Sequence, residues 1–85
     1  KHTKLYLEWN GYDTTDFIPC EICEKQAVDI HHIEARGMGG SSKDTPDNLM
    51  ALCRNCHIKF GDKKQHKDML KREHKRVQEW RSLNI

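Results

Sequence analysis

Four cysteines constrain this chain most strongly: Cys20-Glu21-Ile22-Cys23 and Cys53-Arg54-Asn55-Cys56 are two C-x-x-C pairs separated by 29 residues. The two-residue spacing lets a tight turn aim both thiolates at one ion. A second pair arriving from a distant segment completes a tetrahedron, the donor set of a structural zinc site. Disulfides are the alternative: a C-x-x-C bridge closes a very small loop and adds little stability, while cross-pairing of Cys20 or Cys23 with Cys53 or Cys56 stays open at this level. His57 follows Cys56, so the second pair also reads as C-x-x-C-H, the haem-attachment signature. That reading leaves Cys20 and Cys23 without a role and needs a large apolar pocket, so no haem is expected.

A metal staple is what a chain of this kind needs. It has 85 residues, of which 35% are hydrophobic, 33% are charged and six are aromatic. Such a composition supports one small domain, 1–85, with a core that is marginal without help. No apolar run approaches the ~18 residues of a membrane span, so no membrane association is expected. No signal peptide is visible, and thiolates used as metal ligands point to a reducing, cytoplasmic compartment. The net charge of +2 is unevenly placed: residues 1–61 carry seven Lys/Arg against nine Asp/Glu, and residues 62–85 carry eight against four. A basic tail is compatible with nucleic-acid binding through one face and also with an ordinary solvated helix.

Three segments follow from the pattern. Residues 1–19 hold Tyr6, Trp9, Tyr12 and Phe17, four of the six aromatics, and are expected to form a short helix ended near Gly11, a lid over the core. Residues 20–61 contain the first knuckle, a β-branched run from Ala27 to Ile33, a Gly-rich loop, a second short run "NLMALC", the second knuckle and a helix from about Arg54 to Lys59 with Gly61 as its stop. Two strands joined by a long loop, each linked to a cysteine pair, make a hairpin clamped at one end. In residues 62–85, Met69, Leu70, Glu73, Val77, Trp80 and Leu83 recur at three- and four-residue spacing, a thin apolar stripe on a charged helix. That helix is expected to pack on the N-terminal aromatics through Trp80.

With four thiolates saturating zinc, His31, His32 and His57 are left without a structural assignment. Singly, each reads as a half-buried strand residue or a helix-start residue. Together, the clamp holds the strand carrying His31 and His32 near the helix carrying His57. Three imidazoles in one cleft beside a zinc site make a second metal centre or a catalytic one.

Here "DIHHI", the loop "RGMGG" and "NLMALCRNCH" resemble HNH endonucleases, the ββα-metal or His-Me finger nucleases, in the zinc-stapled branch with two C-x-x-C knuckles. The resemblance covers Cys20 to about Gly61. It implies a small α+β fold, a ββα-metal finger of a two-stranded hairpin plus helix stapled by a four-cysteine zinc site, with flanking helices. It implies that His32 is the general base, since an ordinary imidazole is largely neutral at pH 7 and takes a proton from water. It implies that Asn48 holds the loop and orients that base, and that His31 and His57 bind one catalytic divalent metal, Mg²⁺, Mn²⁺ or Ni²⁺. Asp29, two residues before His31 on the same strand face, is the fallback ligand.

The implied substrate is DNA, with RNA not excluded, cut to 3′-hydroxyl and 5′-phosphate ends. Arg36, Lys43, Arg54, Lys59, Lys63 and Lys64 are candidate phosphate contacts; a surface reading stands level for Arg36 and is preferred for each of the others taken singly, while joint action would make affinity fall steeply with salt. One such site cuts one strand, so double-strand cleavage needs a homodimer or two visits. The rival reading is a non-catalytic, zinc-stapled nucleic-acid-binding module, which leaves His32 and Asn48 as coincidences.

Overall fold

The computed structural model describes residues 2–35, 42–61 and 63–83. Along these the chain forms α1 (His2–Asn10), β1 (Asp29–His32), β2 (Leu49–Leu52), α2 (Arg54–Phe60), a 3₁₀ turn (Lys64–His66) and α3 (Lys67–Leu83). The Gly-rich loop and Arg36 lie outside the described residues. No described helix is long and apolar enough to cross a membrane.

α1 ends where expected and for a local reason. Gly11 adopts φ +72°, the left-handed conformation that suits glycine. Its N–H donates to the Glu8 carbonyl at 3.3 Å and that of Tyr12 to Leu7 at 2.9 Å, which satisfies two otherwise orphaned carbonyls.

β1 and β2 pair antiparallel, with Asp29 opposite Leu52, His31 opposite Met50 and His32 opposite Leu49. β1 is shorter than the seven-residue run in the sequence, because Ala27 and Val28 are spent on joining the first knuckle: Ala27 bonds back to Ile18, and Val28 to the carbonyl of Leu52. Strand alternation sends side chains to two faces. Leu49 and Ala51 meet Tyr6 of α1, with Ile18 and Ile30 packed around them. Met50 and Leu52 meet Ile33, Leu70 of α3 and three of the cysteines. β2 is therefore buried along its whole length, whereas β1 keeps a half-exposed edge. The hairpin is the middle layer, with α1 on one face and α2 and α3 on the other.

α3 docks differently from the apolar stripe. Leu70 and His74 are its buried residues, and Trp80 is 63% exposed. The expected Trp80 anchor is thus corrected: Arg81 takes that place. Its guanidinium lies 5.7 Å over the Tyr6 ring and 5.5 Å over the Tyr12 ring, and it donates to the Tyr6 hydroxyl and to Asn10 Oδ1. A cation lying on aromatic faces and hydrogen-bonded through Nη1 holds a helix without a large apolar side chain.

Beneath Arg81 lies a buried polar network. Glu21, with no exposed side-chain surface, accepts from the Tyr6 hydroxyl at 2.5 Å and from the Ala51 N–H at 3.2 Å. His74 Nδ1 donates to Glu21 at 2.6 Å, and its Nε2 donates to the Pro46 carbonyl at 2.6 Å. Two acceptors for two ring nitrogens require the doubly protonated imidazolium. Burial disfavours that cation, but the hydrogen bond and charge of Glu21, with the Pro46 carbonyl, outweigh both burial and the opposing charge of Arg81, so the His74 pKa is raised. A raised folded pKa gives stability that is complete below the unfolded value and lost as pH climbs through the folded one. His74→Ala is therefore expected to cost about 3–5 kcal/mol near pH 6, the penalty for breaking a buried pair. Denaturant midpoints should show the gap between wild type and variant narrowing as pH rises above the ordinary imidazole value of about 6.5; a gap constant with pH would contradict the charged assignment.

Candidate functional site

The first knuckle is a tight turn. Glu24 takes φ 69°, its N–H donates to the Cys20 carbonyl at 2.9 Å, and the Cys20 N–H donates to Lys25 at 2.6 Å. The Glu21 N–H bonds to Ala51 of β2 at 2.9 Å, so the turn is fixed to the hairpin. The second knuckle is the start of α2: Cys53 is its N-cap, and its sulfur accepts from the Cys56 N–H at 3.4 Å. That backbone hydrogen bond leads the causes that bring the Cys53 thiol down to about 7, while burial pushes the Cys56 thiol up.

All four sulfurs lie within 4.8 Å of one another, and Cys23 Sγ and Cys53 Sγ are 3.5 Å apart. Tetrahedral zinc with bonds of ~2.3 Å separates its sulfurs by roughly 3.8 Å. The donor set and the spacing fit one such ion. All four thiols are free, so neither pattern of disulfides is formed.

β1 distributes the histidines. His31 leaves the face towards α2, where its ring centroid lies 5.1 Å from that of His57. His32 leaves the opposite face, where its ring lies 4.6 Å from that of His2 on α1. The structure thus brings together His31 and His57 but not all three in one cleft, because neighbouring strand residues point opposite ways. Asp29 shares the His31 face, and its carboxylate lies 3.2 Å from His57 Nδ1. Among the described residues, the cysteine quartet is the one group of three or more such donors gathered within 4.8 Å. His31 and His57 are therefore a looser pair, which an ion would share with oxygen from water or substrate. Gly61, one turn beyond His57, adds no ligand. A Cβ there would lie 2.5 Å from both the His57 ring and its carbonyl oxygen, so glycine is what lets the ring lie where it does.

Asn48 makes three hydrogen bonds across the loop. Its Oδ1 accepts from the Glu34 N–H at 2.7 Å, and its Nδ2 donates to the carbonyls of Glu34 at 3.0 Å and Lys43 at 2.9 Å. With Ile33 N–H bonded to the Asn48 carbonyl at 2.9 Å, the two ends of the Gly-rich loop are tied together just beyond His32.

α3 braces the same loop ends from outside. Lys71 and Lys67 both reach the Glu34 carboxylate, at 2.6 and 2.9 Å, and their hydrogen bonds hold its pKa down at about 2. Gln78 joins His74 on the Pro46 carbonyl at 3.2 Å and also reaches Asp47 at 3.3 Å.

Of the candidate phosphate contacts, Lys43 has its carbonyl in the Asn48 clamp, and Arg54 stands exposed at the start of α2. Lys63 donates to the carbonyls of Ile58 and Lys59 and so caps α2. Lys59 lies 5.5 Å over the Phe60 ring. Lys63, Lys64 and Lys67 rim a cavity of about 200 Å³ whose lining includes His31.

Asp44, His2, Glu21, His74 and Arg81 were not singled out from sequence. Asp44 Oδ1 lies 2.7 Å from His32 Nε2, and its side chain is only 4% exposed. Partners 12, 30, 53 and 75 positions apart leave no local pattern to read.

Residues 20–63 match the sequence model of a family described as HNH endonuclease. A curated relative, the type IV methyl-directed restriction enzyme EcoKMcrA of Escherichia coli (strain K12), is 34% identical over a stretch covering 60% of this chain and 21% of that protein. The chain thus spans about a fifth of that relative's length. No solved structure matches it.

Proposed function

The chain belongs to the HNH endonuclease family, and from that premise we propose that it hydrolyses DNA phosphodiester bonds, with His32 as general base and a divalent metal held by His31 and His57. The observation that carries this reading is the His31–His57 pair, 5.1 Å apart across β1 and α2, beside the strand end where Asn48 clamps the loop after His32. Among the described residues β1 has no strand on its other edge. A phosphodiester laid over that edge meets His31 and His57 from one face and His32 from the other.

In the proposed reaction His32 takes a proton from water, and the water oxygen attacks phosphorus. The bond from phosphorus to the 3′-oxygen breaks, and the departing oxygen takes a proton from solvent, leaving 3′-hydroxyl and 5′-phosphate ends. His31 and His57 would hold the divalent metal, which would supply positive charge for the phosphoryl oxygens. Asp29, 3.2 Å from Nδ1 of His57, would leave Nε2 of that ring for the ion, the usual carboxylate–histidine arrangement behind a metal. Imidazole donors suit Mn²⁺ or Ni²⁺ better than Mg²⁺.

DNA is favoured as substrate because the curated relative is a restriction enzyme. Lys43, Arg54, Lys59 and Lys64 are the proposed phosphate contacts, Lys63 serving α2 instead. A tetrathiolate site and a DNA substrate suit a cytoplasmic protein, and two copies would be needed to cut both strands at once. Plasmid nicking by the 85-residue chain, with Mg²⁺, Mn²⁺ or Ni²⁺ added to protein that retains its tightly bound zinc, tests the reading. Metal-dependent conversion of supercoiled to open-circular DNA is expected. Binding without any cleavage would leave a nucleic-acid-binding module in its place.

A further inference from the structure

His32 is held from two sides by residues that the HNH pattern does not include. On one side its ring lies 4.6 Å from the His2 ring, and His2 Nε2 donates to the Ile30 carbonyl at 3.1 Å, which fixes α1 against β1. On the other side Asp44 Oδ1 lies 2.7 Å from His32 Nε2. Asp44 is nearly buried and His32 is 13% exposed, so this contact is shielded from solvent in a way that surface ion pairs are not.

The position of Asp44 is itself determined. Lys43, the residue before it, has its carbonyl bound by Asn48 Nδ2 at 2.9 Å. The Asn48 N–H closes the following turn onto the Thr45 carbonyl at 3.0 Å. The Pro46 carbonyl, one residue on, is gripped by His74 and Gln78 of α3. Asp44 therefore sits on a turn tied at three points.

From this geometry we infer that Asp44 is a positioning residue for His32: its carboxylate accepts the Nε2–H hydrogen bond and leaves Nδ1 as the nitrogen carrying the lone pair. A carboxylate has only acceptors to offer, so the shared hydrogen must come from the imidazole. In the neutral ring one nitrogen donates and the other accepts, and fixing Nε2 as donor assigns the basic role to Nδ1. The proton taken from water then enters at Nδ1, and the resulting imidazolium keeps its Nε2–H bond to Asp44. Asn48 acts on the base through this turn, by holding Lys43 so that Asp44 meets the ring. The inference rests on the reading of His32 as general base.

The test compares Asp44→Ala and Asp44→Asn with wild type and with His32→Ala in the full chain. Imidazole ¹⁵N–¹H correlation spectra, with His32 assigned by its loss in His32→Ala, report the tautomer without any need for cleavage. Wild type should show His32 protonated at Nε2, and Asp44→Ala should show a tautomer mixture. In nicking assays kcat should fall roughly 10–100-fold in Asp44→Ala with KM little changed, the signature of a misplaced reacting group. Asp44→Asn should recover most of the rate, since its amide oxygen still accepts from Nε2. Combining Asp44→Ala with His32→Ala should be no worse than His32→Ala alone. Should Asp44→Ala fail to fold, the wild-type spectrum decides: a His32 ring protonated at Nδ1 rather than Nε2 overturns the inference. A retained Nε2–H tautomer in Asp44→Ala, or wild-type kcat there, overturns the inference while leaving the nuclease reading intact. If wild type cuts no DNA, the nuclease reading fails, and the spectra still decide whether Asp44 sets the ring.

Discussion

Removing the metal from the four-cysteine site, by chelation or by Cys53→Ser, is expected to unfold this chain rather than loosen one end of it. Cys20, Cys53 and Cys56 are buried within the main apolar cluster, beside Ile33, Met50, Leu52 and Leu70. They join the first knuckle to α2, and the knuckle carries Glu21, on which Tyr6, His74 and Ala51 converge. Losing the ion would thus release the hairpin, α1 and α3 together. Structural zinc binding contributes roughly 10–16 kcal/mol in small zinc domains. That equals or exceeds the whole stability of a typical domain, about 5–15 kcal/mol. Circular dichroism and amide dispersion should collapse on chelation and return on adding zinc. An apo chain that keeps a cooperative melt near the holo temperature would show that the core stands without the staple.

His32→Ala is expected to lower metal-dependent cleavage by roughly 10²–10⁴-fold, the usual worth of a general base, with a stability loss confined to its 2.7 Å contact with the nearly buried Asp44 carboxylate. The side chain sits at the strand end with partial exposure and contributes to neither apolar cluster. Its neighbour His31 is buried on the other face of the same strand, so His31→Ala should affect metal dependence as well as folding. His66→Ala is the control for loss of an imidazole, since that ring packs against Phe60 and lies outside the proposed histidine set. Single-turnover rates at saturating metal separate these effects. Cleavage by His32→Ala within a few-fold of wild type would remove His32 from the mechanism.

Much of the fold was legible because its determinants are local. Gly11 ends α1 through its own φ, Cys53 caps α2 through its own sulfur, and each C-x-x-C pair forms its turn within four residues. The sheet partners follow once both knuckles share a site. The docking of α3 was not legible, because periodicity marks which side chains are apolar, not which ones end up covered. His74 is buried as a charged ring because Glu21 and Pro46 await it, while Trp80, on the same helix, stays largely in solvent.

The candidate site divides in the same way. The sequence by itself determined the donor chemistry: four thiols at ligand spacing, a histidine pair, an asparagine and a final histidine, all in HNH order. Only the tertiary structure decided how the histidines are shared out. Strand geometry directs His31 to His57 and His32 to Asp44 and His2, and a turn braced by α3 places the carboxylate on the ring. Residue type and spacing carry short-range chemistry, but the direction of a side chain and the partner that meets it are set by packing between segments far apart in the chain.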